Sequence, residues 1–196
     1  MFVQIIEGRT SDAKALMEQA DAWPRDVGPG AIGFLGVTSG VTTDGRTIAI
    51  VRFEDEASAR ANSERPEQAA WFEEMAKLYD GEPTFAESSD TTVLAGGGSD
   101  DAGFVQVMKS TGVDRAQVEK MDEVFERFEH LRPDLLGGLR IWTGPDSCVD
   151  VAYFTSEADA RKGEQWELPD ELKKVMAELQ GPGSTEYYDL TEPQLR

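Results

Sequence analysis

Phe53-Glu54-Asp55-Glu56-Ala57-Ser58-Ala59-Arg60 returns later in the chain as Phe154-Thr155-Ser156-Glu157-Ala158-Asp159-Ala160-Arg161. Two other stretches keep the same spacing. Phe2-Val3-Gln4-Ile5 returns as Phe104-Val105-Gln106-Val107, and Met75-Ala76-Lys77-Leu78 returns as Met176-Ala177-Glu178-Leu179. The offset stays between about 101 and 104 residues, with small changes falling at turns. A register held over the whole chain reads as an internal duplication. Between the copies, Gly96-Gly97-Gly98-Ser99-Asp100-Asp101 has the composition of a flexible connection. The expected division is a first unit at 1–95, a linker at 96–102 and a second unit at 103–196.

Each copy follows one order of elements. Phe2 to Glu7 is a β-rich run. A helix capped by Ser11 is expected through about Trp23, and its counterpart carries Val118, Met121, Phe125 and Phe128 at helical spacing. Pro24 and Pro133 are expected to end these helices. Ala31 to Ser39 and Arg46 to Phe53 form a hairpin around Asp44-Gly45, matched by Leu135 to Thr143 and Cys148 to Phe154. A second helix follows in each copy, broken near Arg65-Pro66 and near Leu168-Pro169, where proline can begin a new helical turn. Strands near Thr84 to Leu94 and Ser184 to Leu190 close the copies. The fold class is therefore α+β: two tandem ferredoxin-like β-α-β-β-α-β units, each a four-stranded antiparallel sheet with helices on one face. The uncovered faces, bearing Ile48 and Ile50 in one copy and Val149 and Val151 in the other, are expected to pack together.

The totals narrow the function. The chain has 196 residues, 19 basic against 38 acidic, and a formal charge of −19. Such a charge disfavours nucleic acid and anionic lipid as partners. A lone cysteine, Cys148, rules out an intrachain disulfide and a Cys-rich metal framework. No run approaches the length of a membrane span, and the first residues lack the basic start and apolar core of a signal peptide. A cytoplasmic monomer acting as an internal pseudo-dimer is the expectation.

Gly28-Pro29-Gly30-Ala31-Ile32-Gly33, the strands after it, and Val51-Arg52-Phe53-Glu54-Asp55-Glu56-Ala57 resemble the antibiotic-biosynthesis-monooxygenase-like family of the dimeric α/β-barrel superfamily. The second copy carries the pattern more weakly, as Pro133-Asp134 and Tyr153-Phe154-Thr155-Ser156-Glu157-Ala158. The resemblance implies two units closing into one barrel and a ligand between one unit's helices and its sheet. It does not carry an activity, since the superfamily spans cofactor-free monooxygenases, haem-degrading enzymes and isomerase-like relatives. Family members often have a histidine shortly after the Glu-Ala motif. Here Asn62 and Lys162-Gly163 stand in its place.

The remaining motifs each have a competing reading. Gly28-Pro29-Gly30-Ala31-Ile32-Gly33 fits a Gly-x-Gly-x-x-Gly pattern but follows a helix and opens a strand, the reverse of a dinucleotide site, so it is a turn. His130, the only histidine, sits at a helix end, where the helix dipole gives it a structural reason to be. Trp71 belongs to the helical stripe Trp71, Met75, Leu78 and reads first as core. Polar groups inside strands say more, because a buried one needs a partner. Arg140, Trp142, Asp150 and Tyr153 lie on strands of the second copy, with His130 and Trp166 beside its helices. These six are the first candidate ligand site. Gln4, Arg52, Asn62 and Trp71 make a second candidate, in the first copy. No metal or cofactor motif is found. The expected function is binding of an aromatic small molecule, with cofactor-independent oxygenation of an aromatic or polyketide-like substrate as its catalytic form. The alternative is a non-catalytic binding or stress-related module. No side chain is assigned a catalytic role.

Overall fold

A computed structural model describes residues 1–167, 169–178 and 183–196. Leu168 and Leu179, which the sequence reading drew on, lie outside these residues. The chain divides into two units: Met1–Thr91 with Glu192–Arg196, and Thr92–Thr191.

The first unit runs β1 (Phe2–Arg9), α1 (Ala13–Asp26), β2 (Phe34–Val41), β3 (Arg46–Phe53), α2 (Glu56–Ser63), α3 (Pro66–Ala76) and β4 (Thr84–Ser88). After β5 (Thr91–Leu94), the second unit repeats the order: β6 (Phe104–Thr111), α4 (Arg115–Phe128), β7 (Leu135–Gly144), β8 (Ser147–Phe154), α5 (Glu157–Glu164), α6 (Asp170–Glu178) and β9 (Ser184–Leu190). A short β10 (Gln194–Leu195) follows. The registers of the copies match, with Phe2 opposite Phe53 and Phe104 opposite Phe154.

Local chemistry sets the ends of the elements. Asp12, not Ser11, caps α1: its carboxylate accepts from the Ala15 amide at 3.0 Å, while Ser11 donates to Asp80. Pro24 does not stop α1, which runs on to Asp26 with the proline inside it. Asp55 and Ser156 cap α2 and α5 at matched positions, and Pro66 opens α3 as a first-turn proline. Strand β2 begins at Phe34 rather than Ala31, because Gly28–Gly30 form a 3₁₀ turn. In the hairpin turn, Gly45 takes a φ of 80° that its partner residues could not adopt cheaply.

Each sheet has five strands, one more than the sequence suggested, in the orders β10-β2-β3-β1-β4 and β5-β7-β8-β6-β9. The fifth strand explains why the units depart from a boundary at residue 95. The run Thr84 to Leu94 splits, with β4 staying on the first sheet and β5 joining β7 in the second. The segment carrying β10 follows the second unit in sequence yet pairs with β2 of the first sheet, Gln194 opposite Ser39. The reason lies in two matched glycines at β-bulges. A Cβ on Gly36 would collide with the Arg196 carbonyl, and one on Gly137 with the Gly97 carbonyl. Only glycine lets a fifth strand approach there.

Strand alternation gives each sheet two faces. In the first sheet, Val3, Ile5, Ile48 and Ile50 share the face away from the unit's helices and are buried. Val105, Val107, Val149 and Val151 do the same in the second. The opposite, helix-covered faces differ between the units. No helix among the described residues is long and apolar enough to cross a membrane.

Candidate functional site: a cavity in the first unit

A cavity of about 600 Å³ lies between the helices and the sheet of the first unit. Its floor is the helix-facing side of the strands: Gln4 and Ile6, Val37 and Ser39, Thr47, Ala49 and Val51, Phe85 and Glu87. Leu16, Met17, Ala20 and Trp23 of α1 and Trp71, Phe72 and Met75 of α3 form the roof, with Tyr79 and Asn62 alongside. The walls are mainly apolar and rich in flat rings, which suits a ring-bearing ligand.

The polar groups at the cavity fall into two kinds. Most are already paired. Trp23 Nε1 donates to Gln68 Oε1 at 2.8 Å, and Gln4 Nε2 donates to Glu87 Oε1 at 2.9 Å. Arg60 donates to the other Glu87 oxygen, at 3.2 Å. The second unit repeats that cluster, with Gln106 and Arg161 both donating to Asp189. Its presence in both copies marks it as a clamp between sheet and helix, and it engages both oxygens of Glu87. The matched glutamines thus pair within their own units. The other kind is unpaired. Trp71 Nε1 is buried and has no hydrogen-bond partner. A buried donor left unmade costs about 1–3 kcal/mol, so a ligand oxygen that accepts from it would bind with that advantage. Asn62 is buried, and its Oδ1 accepts from Arg65 Nη1 at 3.0 Å. Arg65 is itself held by the Val27 carbonyl at 3.0 Å. With the oxygen fixed as acceptor, the amide nitrogen of Asn62 is the end left to donate. Burial raises the Tyr79 phenol above its ordinary pKa, opposed in part by Thr47, so it stays protonated at neutral pH.

Of the second candidate set, Gln4, Asn62 and Trp71 line this cavity. Arg52 does not. It alternates with Val51 and Phe53 and points to the opposite face, where Nη2 reaches the Arg196 carbonyl at 3.4 Å.

The six residues of the second unit fall in separate places. Arg140, only 5% exposed, donates to Asp150 at 2.6 Å and to Asp122 on α4. Burial works against the charge of Arg140, but the two carboxylates hold its pKa above the ordinary value. Burial also pushes Asp150 up, against the pull of Arg140. The Trp142 ring is buried with Val118 and Cys148, and the Arg115 guanidinium lies over its face at 4.6 Å. Tyr153, 1% exposed, alternates with Asp150 and so faces the other side of the sheet. His130 and Trp166 lie at the surface, in or beside short turns.

Superposing the two registers shows how the helix-facing sides of the two sheets differ among the described residues. Arg140 pairs with Asp150 in β7 and β8, and at the matching place in β2 and β3 Ser39 pairs with Ala49. Asp122 is the eighth residue of α4, and Ala20 is the eighth of α1. Three small residues lining the cavity thus stand where the second unit carries a buried acid–arginine–acid cluster.

Cys148 lies beside this cluster. Its thiol donates to Asp150 at 3.7 Å, and burial, with Asp150 beside it, pushes its pKa up to about 12. Only the thiolate alkylates, so iodoacetamide at pH 8 should leave the native chain unmodified while the urea-unfolded chain reacts fully. Mass spectrometry of the two samples checks this, and equal rates would contradict the packing.

No family model matches this chain, and no curated protein matches it. Solved structures do. A candidate monooxygenase from Lactobacillus acidophilus NCFM aligns with a TM-score of 0.71 at 13% identity, over 100% of this chain and 98% of that one. Another, from Fusobacterium nucleatum subsp. nucleatum, gives 0.72 at 8% identity, over 98% and 93%. An anthrone oxidase-like protein gives 0.63 at 9% identity, over 99% and 92%. Identities this low speak of architecture alone. Along its whole length, the chain shares the fold of these structures.

Proposed function

We propose that this protein binds a flat aromatic small molecule bearing a carbonyl or enolate oxygen, in the cavity of its first unit. The observation that carries the reading is the ring-lined cavity of about 600 Å³, whose wall includes Trp71 with its Nε1 buried and unpaired. The ring system would lie against Trp71 and Phe72, and its oxygen would accept from Trp71 Nε1 and the Asn62 amide. The site is therefore assigned to the first unit, where three small residues leave room, rather than to the residues around Arg140.

Catalysis is a second reading, supported by the kind of groups present. Trp71, Asn62 and the protonated Tyr79 are neutral donors, which is what an enolate oxygen needs for stabilisation. An anthrone would lose its ring-methylene proton to a base and give its electrons to oxygen. One oxygen atom would end as the new ring carbonyl and the other as water. The anthrone oxidase-like neighbour makes this substrate class the one to try. Of the lining carboxylates, Glu87 is engaged by Gln4 and Arg60 and Asp21 by Arg196, which leaves Glu73 as the group that would act as a base.

The test is titration with 1,8-dihydroxyanthraquinone, followed by tryptophan fluorescence, with oxygen uptake measured on the corresponding anthrone. Saturable quenching is expected, with one site per chain. Trp71→Phe keeps a ring but removes the donor and should weaken binding by about tenfold. Ala49→Phe, which fills the floor, should remove saturable binding. Quenching unaffected by Ala49→Phe would place the ligand elsewhere. Binding without oxygen uptake would leave the non-catalytic form of the function.

A further inference from the structure

We infer that the cavity is a slot open at one end, and that Gln194 and Arg196 at the closed end determine the length of ring system it accepts. The inference rests on the ring-binding reading above.

Every strand of the first sheet contributes to the floor, from Gln194 of β10 to Phe85 of β4. Five strands set about 4.8 Å apart span about 19 Å, so the cavity runs across the sheet rather than forming a round hole.

The two ends differ in chemistry. At the β2 edge, the backbone of Arg196 pairs with Val37 through two hydrogen bonds, at 2.8 and 3.0 Å. Its side chain crosses to α1 and donates to Asp21 at 2.7 Å. Gln194 Nε2 donates to the Met17 carbonyl, also on α1, at 2.7 Å, and its Oε1 receives the Ser39 hydroxyl at 3.5 Å. Sheet edge and helix are thus stitched together by polar side chains whose groups are already used. A ring pushed against this stop would break those bonds and bring no polar atom to replace them, a cost that grows with ligand length.

At the β4 edge Glu87 is bonded to Arg60 of α2, but at Phe85 the described contact across to the helices is with a ring alone. No further strand of the sheet lies beyond β4. Phe85 lines the cavity and is still 58% exposed, with its ring 5.6 Å from that of Phe72. These rings make an apolar lip that can part without breaking a hydrogen bond, so ligands pass in and out there.

The experiment compares two probes, 1,4-naphthoquinone and the linear four-ring 5,12-naphthacenequinone, by fluorescence titration of the intact chain. The quantity read is the ratio of the long probe's Kd to that of the short one. Combining Gln194→Ala with Arg196→Ala should lower this ratio by about tenfold or more, because the stop is removed. Phe85→Ala should change the association rates of both probes in stopped-flow mixing and leave the ratio in place. A ratio unmoved by the double substitution, or moved as much by Phe85→Ala, overturns the inference while leaving ring binding intact. Failure of the unaltered protein to bind 1,4-naphthoquinone removes the ring-binding reading, and this inference with it.

Discussion

Arg140→Met should destabilise the protein by about 3–5 kcal/mol at pH 7, the usual loss when one partner of a buried ion pair is removed. Arg140 is the only cation bonded to both Asp122 and Asp150 among the described contacts. Methionine fills much of the same space but leaves two carboxylates facing each other beside the buried Trp142 ring. The pH dependence distinguishes this cause from simple loss of packing. Asp150 is an acid whose pKa is raised on folding, chiefly by burial. For such a group the folded state holds the proton more tightly than the unfolded chain, so its contribution to stability falls as pH rises through the interval between the two pKa values. Removing Arg140 takes away the attraction that opposes this, so the penalty should be fully present at pH 7. It should shrink as the pH is lowered and Asp150 takes up its proton. Urea denaturation at pH 7 and pH 4.5 measures both values. A loss below about 1 kcal/mol at pH 7, or one that grows in acid, would contradict the assigned cluster.

Transplanting that cluster into the first unit should abolish ligand binding. The variant combines Ser39→Arg, Ala49→Asp and Ala20→Asp, the three positions that match Arg140, Asp150 and Asp122. The matched backbone already holds such a cluster in the second unit, so the new side chains should find the same pairings and fill the cavity. Affinity for 1,8-dihydroxyanthraquinone is expected to fall by about 100-fold or more, since the pocket volume itself is removed. Circular dichroism should show the fold retained. Should the triple variant misfold, Ala49→Phe gives the same blockage by bulk alone. Undiminished binding in a folded variant of either kind would show that the ligand does not use this cavity.

Much of the fold is written plainly in the chain. The repeated Phe-x-x-Glu/Asp-Ala stretch, Asp44-Gly45 and Pro66 each act through local geometry, and local geometry survives folding. The fifth strands were not legible, because Thr91–Leu94 and Gln194–Leu195 are ordinary short runs whose pairing depends on bare glycines far away at Gly137 and Gly36. The site was hidden for a related reason. Large polar residues such as Arg140 and Asp150 attract notice in a sequence, but here they satisfy one another. The positions that make room are Ala20, Ser39 and Ala49, whose smallness carries no signal in isolation. Parity along one strand already sets Tyr153 and Asp150 on opposite faces, whereas Arg52 and Gln4 lie on different strands, and only the register of β1 against β3 sets them on opposite faces. One signal was present. Laying the copies in register sets a charge in one copy against a small residue in the other at three places.

The most direct measurement is a crystal structure of the chain soaked with 1,8-dihydroxyanthraquinone. The expected result is the ring system in the first unit, against Trp71 and Phe72, with a quinone or hydroxyl oxygen within hydrogen-bond distance of Trp71 Nε1 and the Arg140–Asp122–Asp150 cluster undisturbed. Ligand bound instead in the second unit, against Trp142 with that cluster broken open, would contradict the account.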